Sequence, residues 1–117
     1  LDLNDPENSW VRLNINTGAG HRDGPIEGAL FNTIYGLRFD PDGIMYISDY
    51  KNYCIRKYDP STGMVETVLG IPGQSGMRDG GKEEAMFHSC TAIGIGVDGT
   101  IYIADRGNNR VRKLSIE

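Results

Sequence analysis

The same sequence pattern occurs twice in this chain, in residues 35–58 and again in residues 91–114, at a constant interval of 56 positions. Three markers keep that interval without a gap: Asp42 with Asp98, Gly43 with Gly99, and Asp49 with Asp105. A fixed internal period means that one supersecondary unit is stacked against copies of itself. The repeat therefore restricts the chain to architectures that use one unit more than once.

Each copy is predicted to form short antiparallel strands. In the second copy, apolar residues alternate along two successive runs: Ile93, Ile95, Ile101 and Ile103. Alternation of this kind has the period of a β-strand. The pair Asp98-Gly99 between the runs favours a hairpin with a primed turn, because Asp and Gly tolerate positive φ. Residues 64–69 are predicted to add a fourth strand after the first copy.

The fold class that follows is all-β, with four-stranded antiparallel sheets as the blades of a β-propeller. A solenoid of hairpins is the alternative, but it does not need the long Gly-rich loop between one unit and the next. The second copy is expected to lack a fourth strand, whereas an alternating strand at residues 10–16 has no blade before it. The predicted organisation is an extended tail, this orphan strand, a first blade with its loop and a three-stranded second blade: residues 1–9, 10–16, 17–70 and 71–117.

The segments YISDYKNYCIRKY and YIADRGNNRVRKL, each preceded by a D-G turn, resemble the NHL repeat family of β-propellers. The resemblance runs from Gly20 to the C-terminus. The second copy departs from the family pattern at Ala92 and Gly96, and the first departs at Tyr53 and Cys54. The resemblance implies a ring of roughly six blades. It also favours a bacterial protein that is extracellular, periplasmic or on the cell surface.

Two blades alone would leave sheet edges open to water. We therefore expect contacts with other blades through residues 10–15, from Trp10 to Ile15, and through residues 109–116, from Asn109 to Ile116. In one arrangement the N-terminal strand completes the second blade of a neighbouring copy, and three such chains make a six-bladed ring. In the other, the chain is the trimmed C-terminal part of a longer propeller.

Charge and composition disfavour two kinds of partner. The net charge of −4 argues against a surface that follows nucleic-acid phosphates. No apolar run has the length that insertion into a membrane requires. The two cysteines, Cys54 and Cys90, lack a metal-ligand spacing, and we expect free thiols rather than a disulfide.

Comparing the copies separates architectural residues from candidate binding residues. Residues present in both, such as Asp49 with Asp105 and Arg56 with Arg112, are expected to pair and to build the blade. Residues present in one copy only are the candidates for ligand binding: Tyr35, Arg38, Tyr50, Lys51, Tyr53 and Arg106. Aromatic rings beside basic groups on an exposed turn suit a sugar ring or a peptide. The alternative interpretation is that these are solvated turn residues.

We interpret the chain as a non-catalytic binding or scaffolding module that recognises a protein, peptide or glycan through loops on one face, without a cofactor. The alternative is an axial-site hydrolase or lyase, lactonase-like, whose active groups lie mostly on blades absent from this chain. Related lactonase and lyase propellers hold a metal on the ring axis. This makes His88 a candidate metal ligand, because three copies would place three such side chains around one axis.

Overall fold

The computed structural model describes residues 18–80 and 85–114, which form eight β-strands in two antiparallel sheets. The strands are β1 (Gly24–Pro25), β2 (Ile34–Phe39), β3 (Met45–Asp49), β4 (Cys54–Asp59), β5 (Met64–Leu69), β6 (Cys90–Ile95), β7 (Ile101–Asp105) and β8 (Arg110–Leu114). Two 3-10 turns, η1 (Tyr50–Asn52) and η2 (Arg106–Asn108), join β3 to β4 and β7 to β8. Within the described ranges no helix is long and apolar enough to cross a membrane.

The strands form two sheets with the orders β1-β5-β4-β3-β2 and β6-β7-β8. We call β2–β5 the first blade and β6–β8 the second blade, and we call residues 18–33 and 70–89 their lead-in loops. The predicted all-β fold, with propeller blades and a second blade of three strands, is confirmed. The predicted tail at residues 1–9 and the predicted strand at residues 10–16 lie outside the described residues.

The short strand β1 was not predicted. It pairs with the outer edge of β5 through Gly24 opposite Val65 and Pro25 opposite Met64. Gly24 has a φ of 118°, a conformation that glycine adopts without a steric penalty. The lead-in loop can therefore turn beside its own blade and cover part of the edge.

The two D-G connections, between β2 and β3 and between β6 and β7, differ from the predicted primed turn. Gly43 has a φ of 86°, but Asp42 does not have a positive φ. The N–H of Gly43 donates to the carbonyl of Asp40 at 3.0 Å, and Asp40 Oδ1 accepts the N–H groups of Asp42 and Ile44 at 2.9 and 3.0 Å. The connection between β6 and β7, for which the primed turn was predicted, also has a single residue with positive φ, Gly99 at 86°. Each connection is therefore a longer turn with one left-handed glycine.

An apolar core joins the two blades. Its buried members are Tyr46, Ile55, Leu69, Ala85, Phe87, Cys90, Ile93, Ile101 and Ile103. The first three belong to the first blade, and the others belong to the second blade and its lead-in loop. A second core packs the first lead-in loop against the other face of the first blade: Ile26, Ala29, Ile47, Tyr58 and Val65. Any site between the blades is therefore built on packed elements.

Both cysteines lie inside this structure as free thiols, as predicted. Cys54 and Cys90 are fully buried. Burial raises the pKa of Cys54 to about 12 and also raises the pKa of Cys90. Since the thiolate is the reactive form, neither cysteine is a nucleophile at neutral pH.

Candidate functional site

A buried carboxylate at the end of β3 ties the first blade to its lead-in loop. Asp49 Oδ1 accepts the backbone N–H of Asn32 at 2.8 Å. Its Oδ2 accepts Nδ2 of Asn52 at 2.8 Å and Nη1 of Arg56 at 2.6 Å. Arg56 is also fully buried, and its Nε and Nη2 donate to Asp23 Oδ1 at 3.1 and 2.9 Å. Each charge in this group has a partner, which is the condition under which buried ions are tolerated.

The second blade repeats this arrangement. Asp105 Oδ1 accepts the backbone N–H groups of His88 and Ser89 at 3.0 and 2.9 Å. Its Oδ2 accepts Nδ2 of Asn108 at 2.8 Å and Nη1 of Arg112 at 3.0 Å. The predicted pairing of strand-end Asp with Arg is present, within each blade. The residues that the two copies share therefore hold the fold together.

A cleft of about 360 Å³ opens where η1 of the first blade meets the lead-in loop of the second. Its lining residues are Asn32, Tyr50, Lys51, Tyr53, His88 and Ser89. Three of the predicted binding residues and the candidate metal ligand are thus brought to one place. The described residues that line the cleft offer two phenol rings, an ammonium group, an amide, an imidazole and a hydroxyl, and they include no carboxylate.

The aromatic surface of the cleft continues onto β2 through Tyr35. The ring centroids of Tyr35 and Tyr50 lie 4.9 Å apart with their planes at 82°, which is the favoured edge-to-face geometry. Tyr35 is 54% exposed. The Tyr50 ring is therefore supported from the first blade while an aromatic surface remains open to solvent.

Two glycines allow the close packing that shapes the cleft. A Cβ on Gly107 would lie 1.8 Å from Nδ1 of His88, so the imidazole rests directly on this glycine. The same Nδ1 lies 2.9 Å from Oγ of Ser89. At Gly70, whose φ is 103°, a Cβ would lie 2.5 Å from the carbonyl oxygen of Tyr53. A side chain at position 107 would displace the imidazole of His88, and a side chain at position 70 would displace the backbone of Tyr53.

Tyr53, which lines the cleft, and Thr33, which lies beside it, hold left-handed backbone conformations that disfavour their side chains. Tyr53, directly after η1, has a φ of 58°, and Asn109 holds the matching position after η2 with a φ of 54°. Asn tolerates this left-handed region, but Tyr does not. Thr33 has a φ of 67°, and its carbonyl accepts the N–H of Tyr50 at 2.9 Å. The first blade therefore carries strain next to the cleft.

The remaining predicted residues lie outside the cleft lining. Arg38 is exposed on β2, where its Nη1 donates to the carbonyl of Leu37 at 3.1 Å. Arg106 opens η2 with an exposed side chain, and its backbone N–H donates to the carbonyl of Ser89 at 2.8 Å. In the part of the chain that the structure describes, no group of three or more His, Cys, Asp or Glu side chains is placed to hold a metal ion.

Two cleft residues, Asn32 and Ser89, were not among the sequence predictions. The interval of 56 residues aligns Asn32 with His88 and Thr33 with Ser89. The residue types at both positions therefore differ between the copies. These positions lie directly before β2 and β6, the first strands of the two blades. The same comparison of copies, extended to the lead-in loops, would have found them.

Comparison with known proteins places these features in a family. A family model described as the NHL repeat matches residues 87–114, which include all of β6–β8. NHL repeat-containing protein 2 from Gallus gallus is 32% identical over 108 residues, and the match covers 85% of this chain and 15% of that protein.

Two solved structures from Bacteroides thetaiotaomicron have similar folds. A structural genomics protein of unknown function is 36% identical with a TM-score of 0.82, and the match covers 86% of this chain and 26% of that one. An auxiliary nutrient binding protein is 28% identical with a TM-score of 0.71, covering 84% of this chain and 26% of its own. This chain thus spans about a quarter or less of the length of the relatives that it matches.

Proposed function

Because this chain belongs to the NHL-repeat family of β-propellers, we propose that it is a non-catalytic binding module that holds a glycan in the cleft between its two blades. A sugar ring would pack one face against Tyr50 and Tyr53. The polar groups around these rings would take its hydroxyl groups. The chain would contribute this recognition surface to a larger ring of blades.

The chemistry of the cleft supports a sugar ligand. Sugars present apolar C–H faces beside many hydroxyl groups, and Tyr supplies an apolar ring with a polar tip. Lys51 donates hydrogen bonds, Ser89 both donates and accepts, and Asn32 has an amide that does both. Pockets that bind small ligands combine apolar walls with a few fixed polar groups, and this cleft has both.

The strained backbone of Tyr53 is the observation that carries the proposal. A left-handed conformation costs roughly 1–2 kcal/mol for an ordinary L-residue. Asn109 fills the same position in the second blade at lower cost. Keeping a tyrosine at φ 58° is explained if its ring is needed in the cleft, because strain of this kind clusters at ligand-binding positions.

One comparison also supports a binding role. The Bacteroides thetaiotaomicron structure described as an auxiliary nutrient binding protein aligns with 84% of this chain at a TM-score of 0.71. That description concerns the whole of a longer protein. For the present chain it favours recognition of a nutrient molecule, and a glycan belongs to that class.

Tyr50→Ala tests the proposal, with Arg106→Ala as the matched control. Arg106 holds the equivalent position in the second blade but does not line the cleft. The unaltered chain should bind a subset of oligosaccharides on a glycan array, and titration calorimetry with the best of them should give a dissociation constant. Removing the Tyr50 ring should weaken this binding about 10- to 100-fold, the loss typical of a central aromatic contact.

Three results would reject the proposal. The first is an array with no bound glycan. The second is a Tyr50→Ala variant that binds as tightly as the unaltered chain. The third is equal weakening by both substitutions, which would point to a general effect on the fold. A parallel peptide array covers the other ligand class, and binding to peptides alone would replace the glycan with a peptide ligand.

A further inference from the structure

The cleft between the blades holds a positive charge, although the chain as a whole has a net charge of −4. Among the described residues that line it, Lys51 is charged at neutral pH and none is negatively charged. Lys51 is exposed, and within the described ranges its ammonium group forms no ion pair. By contrast, Nζ of Lys57 on β4 lies 3.2 Å from a carboxylate oxygen of Glu66. The cleft therefore offers a cation that is open to a ligand.

Two carboxylates are hydrogen-bonded to the backbone of the cleft walls, and neither offsets this charge. They are Asp49 and Asp105, and both are fully buried. Asp49 is paired with Arg56 at 2.6 Å, and Asp105 is paired with Arg112 at 3.0 Å. Because each carboxylate already has a cation of its own, the charge of Lys51 remains available in the cleft.

The turn that carries Lys51 is held in place by backbone hydrogen bonds. The N–H of Lys51 donates to the carbonyl of Asn32 at 2.9 Å, and the N–H of Tyr50 donates to the carbonyl of Thr33 at 2.9 Å. The N–H of Tyr53 closes the turn by donating to the carbonyl of Tyr50 at 3.2 Å. The ammonium group and the two phenol rings therefore line the cleft from one fixed turn.

The other wall of the cleft supplies a second hydrogen-bond donor. His88 lies in the second lead-in loop, where its Nδ1 is 2.9 Å from Oγ of Ser89 and its ring rests on Gly107. When the hydroxyl of Ser89 donates to Nδ1, the proton of the neutral imidazole is on Nε2. This Nε2 has no hydrogen-bond partner among the residues that the structure describes. It is therefore available as a donor whether the ring is neutral or charged.

We propose that the cleft selects glycans with an acidic group, a carboxylate or a sulfate, over neutral glycans. This inference rests on the proposed function, because it names the class of sugar that the same cleft takes. The acidic group would accept hydrogen bonds from Nζ of Lys51 and Nε2 of His88 while the sugar ring packs against Tyr50 and Tyr53. Hydrogen bonds of this charge-assisted kind are roughly twice as strong as those between neutral groups. A neutral sugar lacks this contribution.

A glycan array at low salt tests the selection. It carries oligosaccharides of galacturonate and of sulfated galactose, each beside a neutral counterpart in which the carboxyl group is reduced or the sulfate is removed. In titration calorimetry the best acidic member should bind about 10-fold more tightly than its neutral counterpart. Raising the salt from about 0.02 M to about 1 M should remove most of this difference, because salt screens exposed charges. The series that binds more tightly identifies the acidic group as a carboxylate or a sulfate.

Lys51→Gln isolates the contribution of the charge, with Lys57→Gln as the matched control. Both substitutions replace an ammonium group by an amide, but Lys57 is not among the residues that line the cleft. Lys51→Gln should reduce the preference from about 10-fold to about twofold, because the donor of His88 remains. Binding of the neutral counterpart should change by less than about twofold. Lys57→Gln should leave the preference unchanged.

The possible failures separate this inference from the proposed function. An unaltered chain that binds neutral counterparts as tightly as acidic glycans overturns the selection for acidic groups and leaves glycan binding in place. Equal reduction of the preference by Lys51→Gln and Lys57→Gln also overturns it, because net charge alone would then explain the preference. An array without any bound glycan, acidic or neutral, rejects the proposed function and this inference together.

Discussion

His21 is connected to the buried ion pair of the first blade through Thr67. The single hydroxyl hydrogen of Thr67 points to Asp23. The Nε2 atom of His21, 2.7 Å from that hydroxyl, is therefore the donor. Burial lowers the pKa of His21, and the nearby charge of Arg56 lowers it further, against the opposing effect of Asp23. The folded state therefore prefers the neutral imidazole.

This preference predicts a loss of stability on acidification. Because the pKa of His21 is lower in the folded state than its unfolded value of about 6.5, unfolding takes up a proton below that pH. The contribution of His21 is complete above pH 6.5 and is lost as the pH falls from there toward the lower pKa of the folded state. The free energy of unfolding, measured in urea at pH 7.5 and at pH 5.5, should differ less between the two pH values for His21→Gln than for the unaltered chain. The reason is that Gln retains a donor but does not titrate. Equal differences would show that His21 does not titrate on unfolding.

Residues beside the cleft show what the sequence could reveal at this scale. Tyr50, Lys51 and Tyr53 were predicted because they differ between the copies on a turn. The positive φ of Thr33 could not be predicted, because a β-branched residue adopts it only where surrounding contacts impose it. The sequence also could not predict that Asn32 and Ser89 lie in one cleft, because this depends on how the two blades pack.

At the level of elements, the ion pair between Asp49 and Arg56 joins β3, β4 and the lead-in loop. Arg56 also donates from Nη1 to the carbonyl of Leu30 at 2.9 Å and from Nη2 to the carbonyl of Arg22 at 2.8 Å. Its guanidinium carbon lies 4.6 Å from the ring centroid of Phe31. One buried side chain therefore fixes the path of the whole lead-in loop.

Replacing Asp49 should be costly. Asp49→Asn keeps the shape but removes the charge that offsets Arg56, and breaking a buried pair in this way costs about 3–5 kcal/mol. Asp42→Asn makes the same substitution on an exposed turn and should lower the free energy of unfolding by less than about 0.5 kcal/mol. Chemical denaturation measures both values. A cost below about 1 kcal/mol for Asp49→Asn would mean that the pair does not hold the lead-in loop.

The strands themselves were largely predictable from the sequence. Alternating apolar residues and repeated turns identified β2–β8. On β7, for example, Ile101 and Ile103 enter the inter-blade core, whereas Tyr102 between them is 43% exposed. β1 was missed because a two-residue strand has no periodicity and exists only through its pairing with β5. The predicted primed turn was wrong because both D-G connections are longer turns in which only the glycine, Gly43 or Gly99, has a positive φ.

At the scale of the whole molecule, the residues fall into two classes. Shared residues such as Asp49 and Asp105 support the blades, while three of the six unshared candidates, Tyr50, Lys51 and Tyr53, line the cleft between them. The inter-blade core joins the two blades, and η1 of the first blade and His88 of the second lead-in loop line this cleft. On the proposed function, the internal comparison of copies separates residues of the scaffold from residues of the site.

Tyr53→Asn tests that division most directly, because scaffold and site predict opposite effects of the same change. Placing at position 53 the residue type found at position 109 relieves the left-handed strain and should stabilise the fold by about 0.5–1 kcal/mol. It also removes a ring from the cleft and should weaken glycan binding at least about 10-fold. The measurement is thermal unfolding together with titration of the best oligosaccharide from the array. A more stable variant with weaker binding is the predicted result, and a variant that binds as tightly as the unaltered chain would contradict the account.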